Sequence, residues 1–145
     1  PKYQALQPHY NLLERKNYEE HYAELADRYG MTVFPYWSLA AGFLTGKYRS
    51  EDDLNKSVRG GSVKQYLNDK GLGVLKALDK VAEAHQSTQA TVALAWLLSR
   101  PNVGAPIASA TKKSHLETIF AAPKLELTVE DIELLNEASA VEVPA

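Results

Sequence analysis

Three short β-prone apolar runs, each followed by residues at helical spacing, confine this chain to one broad class of fold. The first run opens "YQALQPHYNLL" (residues 3–13) and breaks at Pro8. The second is "MTVFPY" (31–36) and the third is "VGAPIASA" (103–110), both reading as buried strands. Strands that alternate with helices pair in parallel through right-handed crossovers. The expected fold class is therefore α/β, with three parallel strands and helices on their outer side. Such a sheet leaves two raw edges that need cover.

The helices are marked by caps and periodicity. Asn17 reads as an N-cap with Glu19 and Glu20 in the first turn, and Tyr18, Tyr22, Leu25 and Tyr29 recur on one face before a Gly30 stop. Leu75, Leu78, Val81 and Ala82 mark one face of a helix over 72–85. Ser87 or Thr88 caps a helix that ends before Pro101; "KKSHLETIFAA" is another; Thr128 with Asp131 resembles a capping box for a last one through Ile132, Leu135 and Ala138. Between them, residues 43–72 read as a long polar connection, rich in charge, Ser and Gly, with a short helix near "VKQYLND". A connection of that length in a compact domain is functional or mobile.

Composition removes several function classes. The chain has 145 residues, 16 basic and 18 acidic, for a net charge of −2. That balance argues against a nucleic-acid partner, which would leave a basic excess. With no cysteine, disulfides, thiolate catalysis and thiolate metal sites are excluded, and a reducing compartment, the cytoplasm, fits. No apolar run approaches the roughly 20 residues that span a bilayer. No signal peptide is visible, and a start at Pro1-Lys2 reads as a processed or truncated product.

Short motifs give only exclusions. A phosphate-binding P-loop needs G-x-x-x-x-G-K-[ST]. "GFLTGK" from Gly42 has three residues between its glycines, and Tyr48 follows the lysine. "GLGVLK" from Gly71 fails the G-x-G-x-x-G dinucleotide fingerprint because Lys76 stands where the third glycine belongs. No metal-spaced histidine pair or nucleophile elbow exists.

Longer patterns point further. "QPHYNLLER", then "FPYWSLAAGFLTGKYR", then "PIASATKKSHLETI" resemble, in this order and spacing, the C-terminal part of a bacterial-type aldo-keto reductase. The resemblance covers essentially the whole chain. It implies a partial (β/α)8 TIM barrel in which the three runs are the sixth to eighth strands, with the site at their C-terminal ends. It implies NADPH as cofactor, with NADH as the alternative, and a small-molecule carbonyl substrate. By position, Gln7 would hydrogen-bond the nicotinamide carboxamide, and Tyr36 would stack on the ring. Trp37, Ser38, Leu39, Ala40 and Gly42 would contact the pyrophosphate, with Lys47 and Arg59 supplying positive charge. Ser109, Thr111, Lys112, His115 and Thr118 would hold the adenosine 2′-phosphate at a helix start. The loop over 43–72 would cap the cofactor.

The sequence departs from the family pattern in ways that matter. Y-S-P-L reads Tyr36-Trp37-Ser38-Leu39 here, a family glycine is Ser109, and the closing Glu-Asn is Thr118-Ile119. Loss of that adenine-contacting asparagine implies either weaker NADPH affinity or a relaxed preference for NADPH over NADH. The family's Asp, Tyr, Lys and His tetrad has no counterpart in the chain, so no catalytic residue is assigned. The expectation is a chain inactive alone, completed by another copy or by the other part of the barrel. A non-catalytic nucleotide-binding or interaction subunit is the alternative.

Overall fold

The computed structural model describes residues 2–56, 58 and 60–141. Arg59, one of the residues singled out above, lies outside them. Strand β1 (Ala5–Leu6) pairs in parallel with β2 (Thr32–Val33), Ala5 opposite Thr32 and Leu6 opposite Val33. The pairing continues past the strand ends. Phe34 N–H donates to Leu6 C=O at 2.8 Å, Tyr36 N–H to Pro8 C=O at 2.9 Å, and His9 and Tyr36 form an isolated parallel bridge. Pro8 lacks an N–H, but its carbonyl still takes part.

The expected third strand is not formed as one. Val103 makes a single parallel bridge to Val33, and residues 104–110 form no regular element. Gly104 N–H reaches Val33 C=O at 2.9 Å, and Ile107 N–H reaches Pro35 C=O at 2.8 Å. Pro106, between them, cannot donate, which leaves the ladder interrupted. The sheet therefore has two parallel strands and a bridged third segment, not three strands.

Helices dominate the rest. The tyrosine-rich region forms α1 (Lys16–His21) and α2 (Ala23–Tyr29), separated at Tyr22, where φ is −123°. Arg15, not Asn17, is the N-cap, and Asn17 lies inside the first turn. The break rotates the anticipated face outward. Tyr18 and Ala26 are buried, while Tyr22, Leu25 and Tyr29 are 40–48% exposed. Gly30 ends α2 in the left-handed region at φ 60°, as its lack of a Cβ allows.

The long connection is more ordered than its composition implies. It contains helical turns at Ala40–Thr45 and Glu51–Lys56, helix α3 (Gly60–Val63), and a further turn at Lys64–Tyr66. Phe43, Leu44, Tyr48, Val63 and Tyr66 bury their side chains, so apolar anchors spaced along the segment fasten it to the core. It ends early, because α4 (Asp69–Ala84) begins under an Asn68 cap whose side chain accepts from Gly71 N–H at 2.9 Å.

Helix α4 buries Leu75, Leu78, Val81 and Ala82, the predicted face, against α5 (Gln89–Leu98) and α7 (Val129–Ala138). Thr88 is the cap of α5. Helix α6 (Lys113–Ala121) follows the bridged segment, and the Thr128–Asp131 capping box opens α7 with both of its reciprocal bonds in place. At the centre, the fully buried Trp96 has the guanidinium groups of Arg15 and Arg100 at 5.5 and 5.2 Å from its ring. Glu19 accepts from Arg15 Nε at 2.9 Å and from the Tyr10 hydroxyl at 2.8 Å, and Trp96 Nε1 donates to Asn136 at 2.9 Å. This network joins the β1–α1 connection to α5 and α7. Among the described residues, no helix is long and apolar enough to cross a membrane.

Candidate cofactor site

The parallel register brings the C-terminal ends of the chain segments to one place. Gln7 is exposed there, next to Pro8, and Tyr36 follows β2. The His9 imidazole stacks on the Tyr36 ring, with centroids 5.2 Å apart and planes at 19°. The Trp37 indole meets His9 edge-on at 5.3 Å. Tyr36 and Trp37 remain 39% and 47% exposed. Two large rings on the surface at the end of a parallel sheet form a platform able to take a flat heteroaromatic group.

The turn after Tyr36 is held in an unusual conformation. Trp37, Ala40 and Ala41 have φ of 53°, 49° and 55°, and Gly42 has 97°. For residues with a Cβ this left-handed region is sparsely populated and needs support. Ser38 supplies part of it, its buried hydroxyl donating to Pro35 C=O at 2.9 Å. Asn11, fully buried, supplies more. Its Nδ2 donates to Trp37 C=O at 2.9 Å while its Oδ1 accepts from Leu13 N–H at 2.8 Å and Glu14 N–H at 3.1 Å. Within the turn, Ala40 N–H bonds Trp37 C=O and Gly42 N–H bonds Leu39 C=O. Ser38 and Ala40 thus face inward and shape the turn.

Lys47 closes this side of the site. Its ammonium lies 4.9 Å from the Tyr48 ring centroid, and a Cβ built on Gly42 would stand 3.9 Å from Lys47 Nζ. At φ 97° position 42 takes a conformation that glycine adopts without strain, beside the cation. Arg49 then ties the segment down. Its guanidinium donates to both Asp79 carboxylate oxygens at 2.7 and 2.8 Å and, through Nε, to Gly46 C=O at 2.8 Å. Gln89 donates to the same Asp79 at 2.9 Å. The Arg49 hydrogen bond is the main reason that the Asp79 carboxyl is held below its ordinary range.

The remaining predicted residues form a separate group around the start of α6. Lys112 is the N-cap in extended conformation, with no side-chain cap bond. Thr111 places its N–H at 3.3 Å and its hydroxyl at 3.4 Å from His115 Nδ1, which makes that nitrogen an acceptor for the backbone. Thr118 turns its hydroxyl back to Ser114 C=O at 3.2 Å, and its own carbonyl accepts from Thr91 at 3.0 Å. Ser109, Thr111, Lys112 and His115 are exposed. The bond from Ile107 to Pro35 links this stretch to the Tyr36 turn.

His9, Asn11 and the Arg49–Asp79–Gln89 cluster were not anticipated as parts of the site. Asn11 had a signal, a lone amide among Tyr10, Leu12 and Leu13. Arg49 had none, because its partner lies 30 residues on.

The sequence profile described as "Aldo/keto reductase family" matches residues 1–140. The aldo-keto reductase str7 of Strobilurus tenacellus is 31% identical over 83% of this chain, and the aldo-keto reductase yakc [NADP(+)] of Schizosaccharomyces pombe is 31% identical over 74%. A protein of Oryza sativa described as "Probable voltage-gated potassium channel subunit beta" is 32% identical over 76%. The chain spans 37%, 33% and 35% of the lengths of these relatives. Among solved structures, a thermostable aldo-keto reductase in complex with the inhibitor epalrestat superposes with a TM-score of 0.64 at 23% identity, over 91% of this chain and 38% of that one. That likeness is one of fold. With the profile spanning nearly its full length, the chain belongs to the aldo/keto reductase family.

Proposed function

We propose that this chain is the cofactor-binding C-terminal part of an NADPH-dependent, bacterial-type aldo-keto reductase barrel that reduces aldehydes and ketones in the cytoplasm. The observation that carries the reading is the exposed Tyr36–Trp37 platform at the end of the parallel strands, followed by the left-handed Gly42 and the Lys47 cation beside it. The residue types suit a ligand with a flat ring at one end and phosphates at the other. Tyr36 offers the ring a face, and Gln7 is at hand for a carboxamide. Lys47, beside Gly42, suits a pyrophosphate. Lys112, Thr111 and Ser109, at an uncapped helix start, suit a further phosphate, with cation and N–H groups together. When bound, the cofactor supplies hydride. The chain's own part is to fix which ring face is presented, since stacking on Tyr36 leaves one side open. No residue of this chain is assigned proton transfer to the carbonyl oxygen.

Calorimetric titration with NADPH and NADH tests the reading. Tyr36→Ala should weaken NADPH by about tenfold, the equivalent of roughly 1.4 kcal/mol of stacking. Absence of NADPH binding to the wild-type chain at millimolar concentration, or unchanged affinity in the variant, would refute it. A second reading, a nucleotide-binding interaction subunit without turnover, is favoured by the similarity to proteins described as potassium channel β subunits. It predicts that NADPH binds but is not consumed in the presence of aldehydes.

A further inference from the structure

We infer that Arg49 is a positioning residue that acts through Lys47, holding its ammonium at the phosphate side of the site. The inference rests on the cofactor reading above. The argument is geometric. Lys47 sits between Gly46 and Arg49 in sequence. Gly46 is left-handed at φ 78°, and its carbonyl accepts from Arg49 Nε at 2.8 Å. The same guanidinium grips Asp79 on α4 through two parallel bonds of 2.7 and 2.8 Å. Gln89 on α5 fixes Asp79 from the other side at 2.9 Å. The Arg49 backbone N–H is taken by Asp53 at 2.7 Å. Arg49, two residues after Lys47, is thereby tied to α4 and through Asp79 to α5, and Gly46, directly before Lys47, is tied to Arg49.

The planar fork explains the choice of residue. A guanidinium can serve a carboxylate with two N–H groups and a carbonyl with a third, whereas an ammonium cannot hold that geometry. Crowding supports the same point. A Cβ on Gly46 would lie 2.9 Å from an Arg49 nitrogen and 3.3 Å from Gln89, so the turn and the clamp are built against each other. The pair is partly exposed, at 42% and 41%. Its grip should therefore weaken with salt.

The test combines NADPH titration with hydrogen exchange of the amides of residues 44–50, on wild type, Asp79→Asn, Lys47→Met and the double variant. Asp79→Asn should speed exchange in the turn and weaken NADPH by about three- to tenfold, the range expected for a bidentate pair that is partly solvated. Lys47→Met should weaken NADPH without speeding exchange. The double variant should bind no worse than Lys47→Met alone, because a clamp that acts through Lys47 has nothing left to position. Losses that multiply in the double variant, or exchange in Asp79→Asn equal to wild type, would overturn the inference. If the wild-type chain fails to bind NADPH while Asp79→Asn still speeds exchange, the cofactor reading is refuted, and the role for Lys47 falls with it. If the wild type binds and Asp79→Asn changes neither readout, the inference fails alone and the cofactor reading stands.

Discussion

Replacing Asn11 with alanine should be among the most damaging single changes near the site. The amide side chain makes three hydrogen bonds to backbone groups from a fully buried position. Glu14 N–H would keep a partner after truncation, since it also reaches the Asn11 backbone carbonyl at 3.1 Å. Trp37 C=O would keep Ala40 N–H as its donor at 2.8 Å, so Leu13 N–H is the backbone group left without its partner. A buried polar group without a partner costs about 1–3 kcal/mol. The loss is therefore roughly 1–3 kcal/mol, a large share of the ~5–15 kcal/mol that keeps a domain folded. With a urea slope of about 1–3 kcal/mol/M, the midpoint should fall by around 1 M. Urea unfolding followed by far-ultraviolet circular dichroism measures it. The left-handed Trp37 also loses a tether, so amide exchange across residues 37–42 should rise more than in α4. A shift below about 0.5 kcal/mol, the range of ordinary surface substitutions, would refute the claim that Asn11 supports this turn.

Other substitutions test the frame around the site. Asp131 is pushed up by burial, but bonds from His85 at 2.6 Å and Thr128 N–H at 2.9 Å outweigh this and hold it below its ordinary 3.8. The stability it contributes is therefore complete above that value and is lost as pH falls through the lower folded value. Melting temperature should drop more steeply below about pH 4 in wild type than in Asp131→Asn; parallel acid limbs would contradict this. Tyr66 buries a hydroxyl with no hydrogen-bond partner among the described residues, and burial, with Glu14 nearby, pushes its pKa up to about 12. Tyr66→Phe should raise stability by about 1 kcal/mol, and a loss in urea titration would show a partner in solution. Gly71→Ala would drive a Cβ into the Tyr66 carbonyl oxygen and should cost about 3 kcal/mol or more, whereas Gly73→Ala meets nothing within 4 Å and should be neutral or stabilising by up to about 1 kcal/mol. Equal melting temperatures for the two variants would be inconsistent with the close approach at Gly71.

Legibility followed the range of the interactions. Gly30, Thr88 and the Thr128–Asp131 box were readable because a cap is decided within four residues. The buried face of α4 was readable because one periodic stripe dominates it. The face of the tyrosine-rich region was not, since the break at Tyr22 redirects Tyr22, Leu25 and Tyr29, and nothing local announces it. The 103–110 run has strand composition, yet pairing depends on what stands opposite, and Pro106 interrupts the ladder. In the 43–72 segment, overall polarity concealed the spaced anchors Phe43, Tyr48, Val63 and Tyr66. For the candidate site, the motifs singled out Tyr36 and Trp37 at the start of a turn and Lys47 a little beyond it. The supports of that turn, Asn11 from 26 residues before Trp37 and Asp79 from 30 after Arg49, come from the tertiary fold.

The two tryptophans occupy opposite surroundings, and this gives the molecule an optical use. Trp96 is sealed in the core between two guanidinium groups, so its emission should be blue-shifted and indifferent to solutes. Trp37 stands half in solvent beside His9 and Tyr36, so its emission should be redder and open to quenching by acrylamide or by a ring that settles on the platform. One indole can therefore serve as an internal reference for the other. The ratio of the two bands would separate occupancy of the turn from unfolding of the chain in a single spectrum.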